Sequence, residues 1–290
     1  MLRLLRPRQW IKNLLLFAAL VFAKQLFVAH SVALAGLAFV AFCLASSSVY
    51  VVNDLVDAER DREHPEKRNR PIASGAVAPG AAAGLAAVLT LAALVTAFAI
   101  GRGFGAAVVV YLGLSHFYSL AGKNVVVLDV MLVAAGFVIR AVAGALAIHV
   151  PYSDWFVLCT LFLAMFIAFS KRRAELVAIE DGVARSRPVL ALYSERSLAA
   201  FTAASMAAAI ISYSLYVQDV HERAGDAQKL LPFTVPFVIF VIFRYHLLVE
   251  SGGAGEKPEE AVFQDRALLA SLAGFVAVAL AAFYWGGSAW

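Results

Sequence analysis

The chain has 290 residues, 62% hydrophobic and 15% charged, with a mean hydropathy of +0.80 and a formal net charge of +4. Several separate apolar runs are long enough to cross a bilayer, so the composition excludes a soluble enzyme and describes a polytopic membrane protein. The basic balance, with a pI near 9.1, reports membrane topology rather than a nucleic-acid partner, as its distribution along the chain shows.

In chain order, "RPRQWIKN" comes first, an amphipathic interfacial segment with Trp10 at the membrane boundary and Arg3, Arg6, Arg8 and Lys12 near anionic headgroups. It serves either as a topology anchor or as a contact for a phosphorylated substrate. The apolar run that follows outlasts a signal-peptide core and has no small-residue cleavage site, so it is expected to be retained. Reading apolar runs between polar breaks predicts nine transmembrane helices, over 11–29, 32–53, 80–100, 103–121, 125–148, 154–171, 198–217, 231–249 and 266–286. The fold class is therefore all-α, one integral-membrane domain over 1–290. The third and fourth helices, separated only by "GRGFG", form a tight hairpin. Small residues such as "AAAGLAAV" permit close packing within the chain or between copies in a homo-oligomer. Cys43 and Cys159 lie in apolar runs without a partner at ligand spacing and read as packing residues.

With the N-terminus in the cytoplasm, 19 of the 24 Lys and Arg fall on the cytoplasmic side, four lie outside, and Arg140 remains within a span. That bias places the N-terminus inside and the C-terminus outside an inner or plasma membrane. The polar segments 54–75, 171–197 and 250–266 then emerge together on the cytoplasmic face and form a cap where the chemistry is expected.

The first of these segments opens with "NDLVDAERD". If residues 53–61 continue the preceding helix, its 100° step puts Asp54, Asp57 and Asp61 within about 60° of one another, with Asn53 nearby. Like charges on one face repel, so a cation is the natural compensation. Such hard oxygen ligands suit Mg²⁺, which completes its shell with water and substrate phosphate. The bland alternative is a solvated loop paired internally with Arg60, Arg62, Lys67 and Arg70, each pair contributing little. Against it, the motif begins inside a span, where charge is expensive.

The form N-D-x-x-D-x-x-x-D, followed by "KRNRPIASG", resembles the first signature of the UbiA-type intramembrane prenyltransferases, and the resemblance extends to the nine-span pattern. It implies a UbiA-like helical bundle in which Asn53, Asp54, Asp57 and Asp61 bind a substrate diphosphate through Mg²⁺. Arg60, Lys67 and Arg70 would then lie beside the substrate. Members usually carry a second aspartate motif after the sixth span. Here that place reads "FSKRRAELVAIEDG": Lys171, Arg172 and Arg173 precede Glu175, and such cations favour phosphate. At the same position they also satisfy positive-inside topology and helix-end charge. A substrate with a phosphate beyond its diphosphate is expected, and 5-phosphoribosyl 1-diphosphate has one.

"RPRQWIKN", "YSLAGKNVVVLDVMLVAAGFVIRAVAG", "SDWF", "FSKRRAEL" and "KPEEAVFQDRALL" together resemble the decaprenyl-phosphate phosphoribosyltransferases, a branch that makes polyprenylphosphoryl-5-phosphoribose for cell-wall arabinan. The resemblance implies that Tyr118 and Lys123 contact the diphosphate and that Asp129 orients ribose hydroxyls or Lys123, although an interfacial Tyr is equally a belt anchor. Arg140, midway along a span, must face a polar cavity or a carboxylate; a lipid-phosphate role and a structural pair both remain open. Glu175, Glu180 and Asp181 either ligate metal or pair with Lys171 and Arg172. Two rivals stand beside this expectation. A prenyltransferase acting on an aromatic acceptor should prefer aspartates to "KRRAE", and a transporter would not require three aspartates on one cytoplasmic helical face.

Overall fold

The computed structural model describes residues 2–63, 67–180, 188–224, 229–250 and 265–284, and every regular element among them is helical. Eight helical segments are long and apolar enough to cross a membrane: α1 (Ala29–Val56), α2 (Pro79–Ile100), α3 (Arg102–Leu120), α4 (Leu128–Ala147), α5 (Asp154–Glu180), α6 (Glu195–Ala224), α7 (Val235–Glu250) taken together with the 3-10 turn Leu231–Thr234 that leads into it, and α8 (Arg266–Tyr284). Nine were expected, and the difference is the first. Instead of one α-helix over 11–29, the chain forms a 3-10 helix, Pro7–Phe17, that passes into a short α-helix, Ala18–Phe22. A 3-10 run of this length is unusual, and tertiary contacts account for it. Asn13 is buried and hydrogen-bonds from its side chain to Ser46 Oγ at 3.3 Å and to Cys43 Sγ at 3.4 Å on α1. At Leu16 the backbone runs so close to α4 that a Cβ added to Gly144 would collide with the Leu16 carbonyl.

The expected cap falls partly outside the described residues, which do not include 64–66, 181–187 and 251–264; Asp181 and most of "KPEEAVFQDRALL" lie there, as does the Glu180 side chain.

The chain divides into two compact units, one of residues 1–121 and 139–151, the other of residues 122–138 and 152–290. In the first unit, α2 buries Ala82, Ala86, Leu89, Ala93 and Ala97, a stripe at helical spacing whose small side chains let α1 come close. Of "AAAGLAAV", Ala82 and Ala86 thus pack within the chain, while Ala81, Ala83, Gly84, Ala87 and Val88 are exposed. Ser48 Oγ reinforces the contact by donating to the Ala86 carbonyl at 3.1 Å. The core continues through Phe42, Phe104, Val108, Tyr111 and Ala143, and Phe42 meets the rings of both Phe104 and Tyr111. On the other side of α2, Val88, Leu91 and Val95 are exposed, as suits a lipid-facing surface. The α2–α3 hairpin turns at Gly101 as expected.

In the second unit α5 packs along α6, and one cluster joins Phe166, Ala209, Ile242, Tyr245, Val249 and Leu268. Another, of Val130, Phe169, Val189, Tyr193 and Leu198, ties the start of α4 to α5 and to the turn before α6.

Candidate active site

In the first unit, the end of α1 carries the acidic motif. The helix ends at Val56, Asp57 caps it at φ −90° and ψ 4°, and a short helix, Ala58–Glu63, resumes at once. Helical hydrogen bonding runs through the bend: the Asp57 amide donates to the Asn53 carbonyl at 2.9 Å and the Asp61 amide to the Asp57 carbonyl at 2.8 Å. The sequence motif therefore keeps a nearly helical register, and Asp54 and Asp61 end up buried while Asp57 is half-buried.

Two arginines compensate the buried carboxylates. Arg70 Nη1 bridges them, donating to Asp61 Oδ2 at 2.6 Å and to Asp54 Oδ1 at 3.2 Å. The turn after the motif positions it: a 3-10 helix, Lys67–Asn69, leads into Arg70, Ile72 anchors the loop in the core, and Gly75 reverses the chain at φ +77°. Arg62 Nε donates to the Ala73 carbonyl at 3.3 Å and straps the loop to the short helix. Arg60 and Lys67 are exposed on the same segment.

The second cation is Arg6, whose Nη2 donates to Asp54 Oδ1 and whose guanidinium lies 5.1 Å from the centroid of the Tyr50 ring. Arg6 adopts φ 48°, ψ 60°, a left-handed conformation that costs roughly 1–3 kcal/mol in a non-glycine residue. Ser47 fixes it there, donating to the Leu5 carbonyl at 2.9 Å while accepting from Trp10 Nε1 at 3.1 Å. Arg6 of "RPRQWIKN" is thus paired with a carboxylate of the acidic motif.

The three aspartates do not form a preassembled metal cage. No group of three His, Cys, Asp or Glu side chains among the described residues converges at metal-ligand spacing, because arginines occupy Asp54 and Asp61 and the bend falls at Asp57. The donor set still fits Mg²⁺, which takes only one or two protein carboxylates. Asn53 Oδ1 is buried with no hydrogen-bond partner among the described residues, an acceptor that needs a cation or a donor.

In the second unit the focus is Asp129, which is fully buried at the start of α4. Arg172 Nε donates to its Oδ2 at 2.8 Å and the Tyr193 hydroxyl to its Oδ1 at 2.8 Å. Arg172 also reaches Glu175 at 3.1 Å. The Tyr193 oxygen accepts in turn from the Val127 amide at 2.6 Å. Val127 sits at φ +68°, an outlying conformation for a β-branched residue. Burial pushes the Tyr193 phenol up to about 12, the Val127 amide opposes that rise, and the bond to Asp129 adds to it; the hydroxyl remains a proton donor at neutral pH.

The expected cationic clamp is thus not a set of bare charges. Arg172 is buried against Asp129 and Glu175, and Arg173 joins Glu250 and, at 3.2 Å, Glu195. Lys171 and Lys123 are half-buried, Lys123 in a 3-10 turn, Gly122–Asn124. Tyr118 is half-buried near the end of α3. Asp129, expected to serve ribose hydroxyls or Lys123, holds Arg172. Arg140 belongs to the first unit: its Nε donates to Asn13 Oδ1 at 2.8 Å and its Nη2 to the Tyr111 hydroxyl at 2.9 Å. It also stacks on the Tyr111 ring, 4.6 Å from the centroid. A buried polar knot thus tethers the 3-10 helix to α4. Sequence alone missed Tyr193, since nothing in "LALYSERS" marks it as the partner of a residue 64 positions away.

Residues 14–259 match the UbiA prenyltransferase family. The chain is 37% identical to the decaprenyl-phosphate phosphoribosyltransferase of Mycolicibacterium smegmatis, over 98% of this chain and 92% of that protein. It is 37% identical to the decaprenyl-phosphate phosphoribosyltransferase of Corynebacterium glutamicum, over 92% and 82%. Its fold is similar to that of a UbiA homologue from Archaeoglobus fulgidus solved with DMAPP and Mg²⁺, with a TM-score of 0.72 at 20% identity, covering 97% of this chain and 98% of the other.

Proposed function

The chain belongs to the UbiA prenyltransferase family and is an integral multi-pass membrane protein, and from that premise we propose that it transfers the 5-phosphoribosyl group of 5-phosphoribosyl 1-diphosphate to decaprenyl or another polyprenyl phosphate. Diphosphate is the second product, and the lipid-linked sugar phosphate would supply arabinan synthesis in a cell wall. The observation that carries this reading is the near full-length similarity to proteins of that activity. Arg172 supports it, being an arginine where members acting on prenyl diphosphates usually place a second aspartate motif. The aromatic-acceptor alternative lacks such support.

In the proposed mechanism, Asn53, Asp54, Asp57 and Asp61 would hold Mg²⁺, which draws charge off a departing diphosphate. Arg6 and Arg70, already against the acidic pair, neutralise the carboxylates before substrate arrives and meet phosphate oxygens afterwards. Lys123 and Tyr118 donate to the diphosphate. Lys171, Arg172 and Arg173 recognise the 5-phosphate, with Glu175 and Asp129 holding Arg172 in orientation, and Arg60 and Lys67 raise the local positive potential. The C1–oxygen bond breaks with its electron pair leaving on diphosphate, and an oxygen of the polyprenyl phosphate forms the new bond from the opposite face. That oxygen is already anionic near neutral pH, so no strong general base is needed. An α-linked donor should give a β-linked product. Arg140, bound to Asn13 and Tyr111, takes the structural role rather than a lipid-phosphate one. The Lys and Arg bias supports a cytoplasmic active face, and it supports a cytoplasmic N-terminus with the C-terminus outside provided that the Pro7–Phe22 helical segment makes a ninth crossing ahead of the eight long helices.

The test is to incubate the purified chain in detergent with phosphoribosyl diphosphate, polyprenyl phosphate and Mg²⁺, and to identify the lipid product by mass and by its anomeric proton coupling. A β-linked lipid phosphoribose is expected. Failure to form any phosphoribosylated lipid, with prenylated product appearing on 4-hydroxybenzoate instead, would replace this reading with the aromatic-acceptor one.

A further inference from the structure

We infer that Tyr193 is a positioning residue for donor recognition, acting through Asp129 on Arg172; the inference rests on the function proposed above and adds a residue that the sequence motifs do not contain. Its ring is held fast. The 3-10 turn Pro188–Leu192 delivers it, its amide donates to the Leu190 carbonyl at 3.1 Å, and it packs with Val130, Phe169, Val189 and Leu198. With the ring immobile, the hydroxyl has one place to be, between the Val127 amide at 2.6 Å and Asp129 Oδ1 at 2.8 Å.

Each link restrains the next. Tyr193 occupies one oxygen of Asp129 and so leaves the other facing Arg172 Nε. Asp129 and Glu175 together fix the plane of the Arg172 guanidinium, one through Nε and the other through Nη1. A planar donor fork discriminates phosphate by its orientation as well as its charge. Tyr193 also holds Val127 in its left-handed conformation, and strained backbone of this kind persists where its surroundings over-determine it, most often at functional sites. The five residues come from the start of α4 and the residue before it, the last third of α5 and the turn before α6, so this network joins three segments at one buried carboxylate.

The experiment uses the full chain in detergent and follows diphosphate release, varying phosphoribosyl diphosphate at saturating polyprenyl phosphate and then the reverse. Tyr193→Phe keeps the ring and removes the hydroxyl. Its donor KM is expected to rise about tenfold, as for a lost hydrogen bond to a charged group, while the lipid KM and kcat stay within about threefold. The stabilisation of wild type by added phosphoribosyl diphosphate in thermal unfolding should shrink in parallel. Tyr213→Phe, which removes a hydroxyl bonded to Thr234 in the same unit, should leave the donor KM unchanged; an equal rise there would show general loosening and overturn the inference. Asp129→Asn combined with Tyr193→Phe should be no worse than Asp129→Asn alone within about twofold, because the two act in one chain. Arg172→Gln must raise the donor KM by at least as much as Tyr193→Phe, and it decides the matter should Tyr193→Phe not fold. With wild type active on the donor, an unchanged donor KM in Arg172→Gln, or a fall in kcat alone in Tyr193→Phe, overturns the inference and leaves the proposed function standing. No release from the donor by wild type would instead remove the function on which it rests.

Discussion

Replacing Arg70 by Ala removes the one cation among the described residues that touches both buried aspartates. Asp54 and Asp61 keep only 3% and 6% of their side chains exposed, whereas Arg70 keeps 29%. Breaking a fully buried ion pair by deleting one partner costs about 3–5 kcal/mol. Because Arg70 is partly solvated and Arg6 still neutralises Asp54, about half of that, roughly 2 kcal/mol, is the reasonable magnitude. For a chain of this size it corresponds to a fall in Tm of about 4–8 °C. The cost arises from uncompensated negative charge, so Mg²⁺ should restore more stability to the variant than it adds to wild type, by linkage of cation binding to folding. Arg70→Lys, a point charge without the fork, should lie between the two. Thermal unfolding followed by tryptophan fluorescence in detergent, with and without millimolar Mg²⁺, reads all three. An Arg70→Ala variant with unchanged Tm, or one whose deficit Mg²⁺ does not reduce, would refute the view that this guanidinium compensates a cation-binding acidic pair.

Asp57→Ala and Asp61→Ala should each remain folded by tryptophan fluorescence and lose turnover by about a hundredfold or more, since several kcal/mol of electrostatic stabilisation of the leaving group depend on them; an active double variant would sink their assignment. Arg172→Glu should raise the KM for phosphoribosyl diphosphate at least tenfold more than that for polyprenyl phosphate, and equal effects on both would argue against a 5-phosphate role. Gly144→Ala drives a methyl into the Leu16 carbonyl oxygen, so that backbone must shift. Overpacking of backbone against backbone costs about 1–3 kcal/mol or more, so the variant should unfold at lower temperature, and a wild-type Tm would disprove the close approach of α4 to the 3-10 helix.

Where the physics is local, sequence sufficed. The apolar runs of α1 to α8 are long, and lipid imposes helices on them. The 100° step likewise brought Asp54 and Asp61 close enough to share Arg70 despite the bend at Asp57. The first apolar run is helical as well, but over Pro7–Phe22 and largely as a 3-10 helix, because its conformation is decided from a distance: Asn13 binds Ser46 and Arg140, and Leu16 lies against Gly144. The cations were legible as charges and not as partners. "KRR" reads as a phosphate clamp, yet Arg172 reaches back 43 residues to Asp129, and Arg173 reaches forward 77 to Glu250. Arg6 finds Asp54 48 residues away, through a left-handed residue that no periodicity announces. Tyr193 carries no pattern at all, since its meaning comes entirely from Asp129 and the strained amide of Val127.

The most direct test of the account is diphosphate release by the purified protein in detergent, offered polyprenyl phosphate with phosphoribosyl diphosphate, or a prenyl diphosphate with 4-hydroxybenzoate, each with and without Mg²⁺. Release that requires Mg²⁺ and occurs only with the sugar donor is the predicted result. Release only with the prenyl donor would contradict it, and would mean that the arginines following α5's apolar stretch serve topology and ion pairing in a conventional prenyltransferase.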